Sequence, residues 1–258
     1  MIEPDLRARQ RPDDILLMTH IVVGYPSLEA SERIVDVMVE AGVDLIELQL
    51  PFSEPMADGP VIVRANQEAL ARGCTVEAVF QMARRVSTRH RIPFVLMSYY
   101  NPIVRMGHEK FVSRMQDAGL RGAIVPDLPP EEGEAYFRAM SAARLDPILI
   151  AAPTSSQARL AEVARFGSGF LYCVARTGVT GSKTQFSDEL LPYLNRCRQA
   201  TTLPLALGFG IRTSDDVGYL RGKVEIAIVG SETLRVVDSR GIDAVAPFLA
   251  SLRPWQQA

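Results

Sequence analysis

Glu47-Leu48-Gln49-Leu50-Pro51-Phe52-Ser53-Glu54-Pro55-Met56-Ala57-Asp58-Gly59-Pro60 is the stretch around which the chain is organised. With Val43-Asp44-Leu45-Ile46 before it, the alternation reads as a strand from Asp44 to Leu50. Ile46, Leu48 and Leu50 share one face. Leu45, Glu47 and Gln49 share the other. A carboxylate within a buried strand is costly unless it is paired or used in chemistry. A second carboxylate, Asp58, follows in a loop of Pro, Ser and Gly. Two acids at the end of one strand are suited to proton transfer.

Outward from this stretch the pattern repeats. Further strands are expected at Ile15–Val23, Pro93–Met97, Gly122–Val125, Pro147–Ala151, Gly169–Ala175, Pro204–Leu207 and Glu225–Val229. Helical segments separate them. Ser27 caps a helix running to about Ala41, and Thr75 caps one running to about His90. Lys110–Ala118 is helical, and Pro130 opens a helix reaching about Arg144. Ser155 or Ser156 caps the next, to about Phe166. Ser187 opens another to about Gln199, and Ser214 caps a short one. Ile242–Leu252 closes the chain.

Short extra helices are expected before the first strand, at Val61–Ala71 after the second, and at Glu232–Val237 after the eighth. Strands alternating with helices imply a parallel sheet. Eight such units in 258 residues fit a closed (β/α)8 barrel, which takes roughly 250 residues as one domain. No linker or composition shift interrupts residues 1–258, so a single barrel domain is expected.

Bulk properties narrow the function. Hydrophobic residues make up 47% of the chain, enough for a folded core. A net charge of −2 gives no footprint for nucleic acid or an anionic membrane. The basic run from Arg84 to Arg91 sits at a helix end and reads as a solvated face. Three widely spaced cysteines, Cys74, Cys173 and Cys197, suggest neither a disulfide framework nor a zinc site. They fit reduced thiols in the cytoplasm. The first residues lack an apolar signal core, and no apolar run approaches a membrane span of about 18 residues.

In this fold the site lies where strands end and βα loops begin. Gly208-Phe209-Gly210 and Gly230-Ser231 follow the seventh and eighth strands, where barrels often hold phosphate on backbone N–H groups. Gly181 is placed to add a third donor. Glu47 is either a structural acid paired with a cation or a general acid/base with its pKa raised by apolar surroundings. Asp58 before Gly59 suits a turn as well as a site. Tyr172 and His20 each suit the core as well as the lumen, and Asp127 ends the fourth strand. The three histidines show no metal-ligand spacing.

With these motifs in order, the chain resembles the tryptophan synthase alpha subunit family from Met18 to about Leu252. The opening stretch carries the resemblance together with Tyr99-Tyr100-Asn101-Pro102, Val125-Pro126-Asp127-Leu128-Pro129, Arg176-Thr177-Gly178-Val179-Thr180-Gly181 and Gly208-Phe209-Gly210. The resemblance implies a lyase of tryptophan biosynthesis. It would cleave indole-3-glycerol phosphate to indole and glyceraldehyde 3-phosphate by a cofactor-free retro-aldol reaction. It implies Glu47 as the acid/base, Asp58 as acceptor of the indole N–H, and Tyr172 near the glycerol portion.

By the same resemblance, Thr180 belongs to a closing loop. Gly181, Gly210, Gly230 and Ser231 hold phosphate, and Met97, Tyr99 and Phe209 line the indole pocket. The implied partner is a beta subunit carrying pyridoxal phosphate, in an alpha2-beta2 heterotetramer. Four positions depart from the family pattern: Gln49 stands for glycine, Tyr25 for aspartate and Glu54 for aspartate, and the family commonly has an aromatic residue near His20. The departures at His20, Tyr25 and Gln49 motivate a rival reading, a barrel kept mainly to dock on and activate the beta subunit. A sugar-phosphate isomerase is a weaker rival.

Overall fold

The computed structural model describes residues 1–11, 14–175, 189–208 and 210–256. The strands are β1 (Leu16–Val22), β2 (Leu45–Gln49), β3 (Phe94–Met97), β4 (Gly122–Ile124), β5 (Asp146–Ile148), β6 (Ile150–Ala151), β7 (Leu171–Val174), β8 (Leu205–Gly208) and β9 (Ile226–Val229). All the pairings are parallel, in the order β5-β4-β3-β2-β1-β9-β8-β7-β6. β5 and β6 flank the single residue Leu149, so the chain itself joins the two ends of that order. The expected strand Pro147–Ala151 is therefore one barrel stave in two ladder segments. Its first part pairs with β4 and its second with β7. The result is a barrel of parallel strands wrapped by helices, as expected.

The helices are α1 (Glu3–Arg9), α2 (Leu28–Glu40), α3 (Pro60–Ala71), α4 (Val76–Arg89), α5 (Tyr100–Met106), α6 (His108–Asp117), α7 (Glu134–Ala142), α8 (Gln157–Phe166), α9 (Leu190–Ala200), α10 (Ser214–Leu220), α11 (Ser231–Arg240) and α12 (Val245–Leu252). Ser27, Thr75 and Ser156 cap α2, α4 and α8, accepting from the N–H groups of Ala30, Ala78 and Arg159. None of the described helices is long and apolar enough to cross a membrane.

Several boundaries differ from expectation. α5 is not among the expected helices. Its N-cap residue, Tyr99, makes no side-chain cap bond to the helix. Asp127, from the loop after β4, accepts from Tyr100 N at 2.9 Å instead. Asp127 thus caps a helix from a distance in sequence. The helix expected from Pro130 breaks at Gly133 into a short 3-10 turn and α7. Thr213, not Ser214, caps α10, in a reciprocal box with Asp216. α11 runs to Arg240, longer than the short helix expected there. The basic run on α4 faces α2, where Arg85 and Arg89 pair with Glu32 and Asp36.

Alternation along each strand separates two apolar layers. Ile46, Leu48 and Leu50 pack between sheet and helices. Leu45 joins Val95, Met97, Ile124, Ile148, Phe170, Ala206, Ile226 and Ile228 inside the barrel. The two faces of the opening stretch fall as its alternation predicts. α1 closes the end of the barrel where strands begin, inserting Ile2 and Leu6 into the inner layer. At the opposite end, where strands finish, described residues border a cavity.

Candidate functional site

The cavity where strands finish measures about 420 Å³. Parallel register builds it. His20 on β1 is paired with Glu47, Val22 with Gln49, and Gln49 with Met97 on β3. Paired residues in parallel strands point to the same side. His20, Glu47, Gln49 and Met97 all border the cavity, joined by Asp58 from the loop and Tyr172 from β7.

Glu47 is 5% exposed and, among the described residues, has no hydrogen-bond partner. Its carboxyl is pushed up to about 8, first by burial and then by the nearby Asp58 charge. Among the described residues no cation pairs with Glu47, as the structural reading would require. Asp58 is pushed up to about 6 by burial, against hydrogen bonds from Gln49 and Tyr99 that pull it down. At neutral pH the pair therefore presents one protonated and one ionised carboxyl. That is the division of labour an acid and a charge acceptor need.

Tyr172 is held by a close approach that only glycine permits. A Cβ at Gly208 would lie 2.6 Å from the Tyr172 hydroxyl oxygen. Burial, followed by the Glu47 and Asp58 charges, raises the phenol well above its usual range, so it remains a neutral hydrogen-bonding group.

Tyr99 does not border the cavity. It is 1% exposed and lies behind Asp58, stacked on Phe52 with ring centres 5.1 Å apart. Its hydroxyl accepts from Ala57 N at 3.0 Å and donates to Asp58 Oδ2 at 3.2 Å. Tyr99 therefore supports the Asp58 loop instead of forming the wall expected of it.

Across the cavity, Gly210, Gly230 and Ser231 form another part of the wall. Gly210 has φ +89°. Gly230 is the N-cap of α11 and offers no side-chain cap, so the start of that helix borders the cavity. A helix start favours an anion. Arg212, Glu232 and Arg235 border the same region, with Arg235 2.9 Å from Glu232. Thr180, Gly181 and Phe209 lie outside the described residues, as does the rest of loop 176–188.

A family model for the tryptophan synthase alpha chain matches residues 6–249. The chain belongs to the tryptophan synthase alpha chain family. A relative named tryptophan synthase alpha chain, from Desulforapulum autotrophicum, is 55% identical over 252 residues, covering 98% of this chain and all of the relative. Tryptophan synthase from Mycobacterium tuberculosis has a similar solved structure, with TM-score 0.91 and 29% identity over 98% of this chain and 96% of that one. A structure described as the tryptophan synthase a2b2 complex of Pyrococcus furiosus aligns with TM-score 0.87 and 26% identity, covering 93% of this chain and 98% of its own.

Within this family frame, the sequence reading overlooked a hydrogen-bonded chain from His20 through Gln49 to Asp58. His20 read most simply as a core histidine. The available signal was register: alternation put Gln49 on the face of Glu47, and both lie across from β1. Arg212 and Arg235 were also overlooked, because an arginine after a strand or on a helix carries no motif of its own.

Proposed function

We propose that the chain is a single-domain lyase, acting in the cytoplasm, that cleaves indole-3-glycerol phosphate to indole and glyceraldehyde 3-phosphate. The observation that carries this reading is Glu47, buried at the cavity wall without a side-chain partner among the described residues and pushed up to about 8 beside Asp58. Indole leaves poorly until its C3 is protonated. The neutral Glu47 carboxyl delivers that proton and becomes a carboxylate. It then takes the proton of the glycerol hydroxyl next to the breaking bond. The C3–carbon bond breaks, its electrons return to the ring, and the hydroxyl carbon becomes the aldehyde. Protons balance, and Glu47 is regenerated.

Asp58 accepts the indole N–H and stabilises the positive charge that develops on the ring. Charge placed where charge develops is commonly the largest catalytic contribution. Tyr172 faces the glycerol portion. Gly210, Gly230 and Ser231, with Gly181, bind the phosphate through backbone N–H groups, with the start of α11 beneath it. Met97 and Phe209 flank the indole, and Thr180 closes over the substrate. No cofactor takes part in this chain. Its partner is a beta subunit carrying pyridoxal phosphate, in an alpha2-beta2 assembly.

The docking-only rival drew on His20, Tyr25 and Gln49. The Gln49 amide engages Asp58 and His20 and makes no hydrogen bond to Glu47 among the described residues. Tyr25 donates to Asp238 at 2.5 Å. Neither side chain obstructs Glu47 by hydrogen bonding. Aldehyde release from indole-3-glycerol phosphate, with and without beta subunit, tests the reading. Glu47→Gln should cost at least about 10²–10⁴-fold. Equal rates for wild type and variant would overturn the assignment. Beta-subunit activation without any cleavage would favour the rival.

A further inference from the structure

Asp58 uses its two carboxylate oxygens differently. Gln49 Nε2 donates to Oδ2 at 2.7 Å, and the Tyr99 hydroxyl donates to the same oxygen at 3.2 Å. Among the described residues no hydrogen bond reaches Oδ1. Gln49 is fully buried, and its Oε1 lies 2.6 Å from His20 Nε2.

The chemistry of the groups fixes the direction of this chain. An ionised carboxylate only accepts, so it takes the amide N–H of Gln49 and turns Oε1 toward His20. His20 must then carry its proton on Nε2. His20 Nδ1 is buried with no partner among the described residues, so a second proton there would be a buried N–H that none of them accepts. Burial accordingly pushes the ring down to about 4, against the Gln49 hydrogen bond. The imidazole stays neutral and cannot reverse the amide by becoming a double donor.

We propose that His20 and Gln49 are a positioning pair. They lock Asp58 in its ionised form with Oδ1 as the one open acceptor for a substrate N–H. The proposal rests on the reading of Asp58 as acceptor of the indole N–H. It assigns to Gln49 and His20, both departures from the family pattern, a role in the reaction instead of an obstruction to it.

Other groups face Asp58 from the surrounding elements. Glu47 projects from β2, Tyr172 from β7, and Tyr99 from the end of β3, while Arg212, Glu232 and Arg235 line the same cavity. Glu47 is neutral below about 8 and the two tyrosines are neutral throughout. Burial raises Asp58 and the hydrogen bonds from Gln49 and Tyr99 lower it, so loss of the Gln49 bond leaves burial less opposed.

The test is a carbon-13 NMR titration of the Asp58 carboxyl, read beside the pH profile of kcat/KM for aldehyde release. Gln49→Leu should move the Asp58 midpoint upward by about one unit or more, the size expected for losing a hydrogen bond to a charge. The acidic limb of the activity profile should move the same way. Gln49→Asn, too short to reach, should repeat the shift in case the leucine variant folds poorly. His20→Phe should give a smaller upward shift, and His20→Gln, which can still donate to Gln49, should restore the wild-type midpoint. An unmoved midpoint in both Gln49 variants would overturn the proposal. A moved midpoint in a chain that cleaves nothing would support the pair and count against the lyase reading alone.

Discussion

Asp146 and Glu47 are buried carboxylates at opposite ends of one barrel, and the protein surrounds them differently. Asp146 begins β5 at the closed end and is 1% exposed. Its two oxygens accept from Ile2 N at 2.5 Å and Ser168 Oγ at 2.6 Å. It ties the N-terminal segment that plugs the barrel to the sheet. Glu47 lies in the middle of β2 at the cavity end, 5% exposed, with no such partners among the described residues. One acid is fully engaged by the fold. The other is desolvated and has no side-chain partner among the described residues. Burial alone therefore does not separate a structural acid from a chemical one; the local donors do.

The contrast can be broken in three ways, from largest effect to smallest. Asp146→Ala should cost about 2–4 kcal/mol of stability, because the buried Ile2 N–H and the half-buried Ser168 hydroxyl lose their acceptor. Urea unfolding measures this, and aldehyde release per folded molecule should stay near wild type. A variant as stable as wild type would remove the structural half of the contrast.

Glu47 should act in the opposite sense on stability. Its folded pKa is raised to about 8 from 4.5, so the native state holds more protons than the unfolded chain between those values. Its contribution is fully present below about 4.5 and lost as pH rises through about 8. The stability of Glu47→Gln relative to wild type should therefore increase across that window. Asp58 titrates in both proteins, so its contribution largely cancels in the comparison. A flat difference would show that Glu47 is not desolvated as described.

The smallest effect concerns the support of Tyr172. Gly208→Ala would place a Cβ against the phenol and push the ring into the cavity. We expect a loss in kcat/KM on the order of tenfold, with a stability cost of about 1 kcal/mol. Unchanged kinetics would mean that the ring position is not critical.

How much of this was legible in the sequence follows from the range of each signal. The barrel and the inward face of Leu45, Glu47 and Gln49 were readable because a period of two is local and repeats. The caps at Ser27, Thr75 and Ser156 were readable for the same reason. α5 was not, since its cap, Asp127, comes from another strand's end. Tyr99 was expected to line the pocket, but its place behind Asp58 depends on how the loop after β2 folds back. His20 and Gln49 are 29 residues apart. Alternation could place Gln49 beside Glu47, but only strand register shows that its amide serves Asp58 instead.

The most direct measurement is single-turnover aldehyde release from indole-3-glycerol phosphate by wild type and Glu47→Gln, both with beta subunit, after each is shown to be folded. The account predicts that Glu47→Gln is at least as stable as wild type near pH 8 and slower by at least about 10²-fold. A folded Glu47→Gln variant that cleaves at the wild-type rate would contradict it.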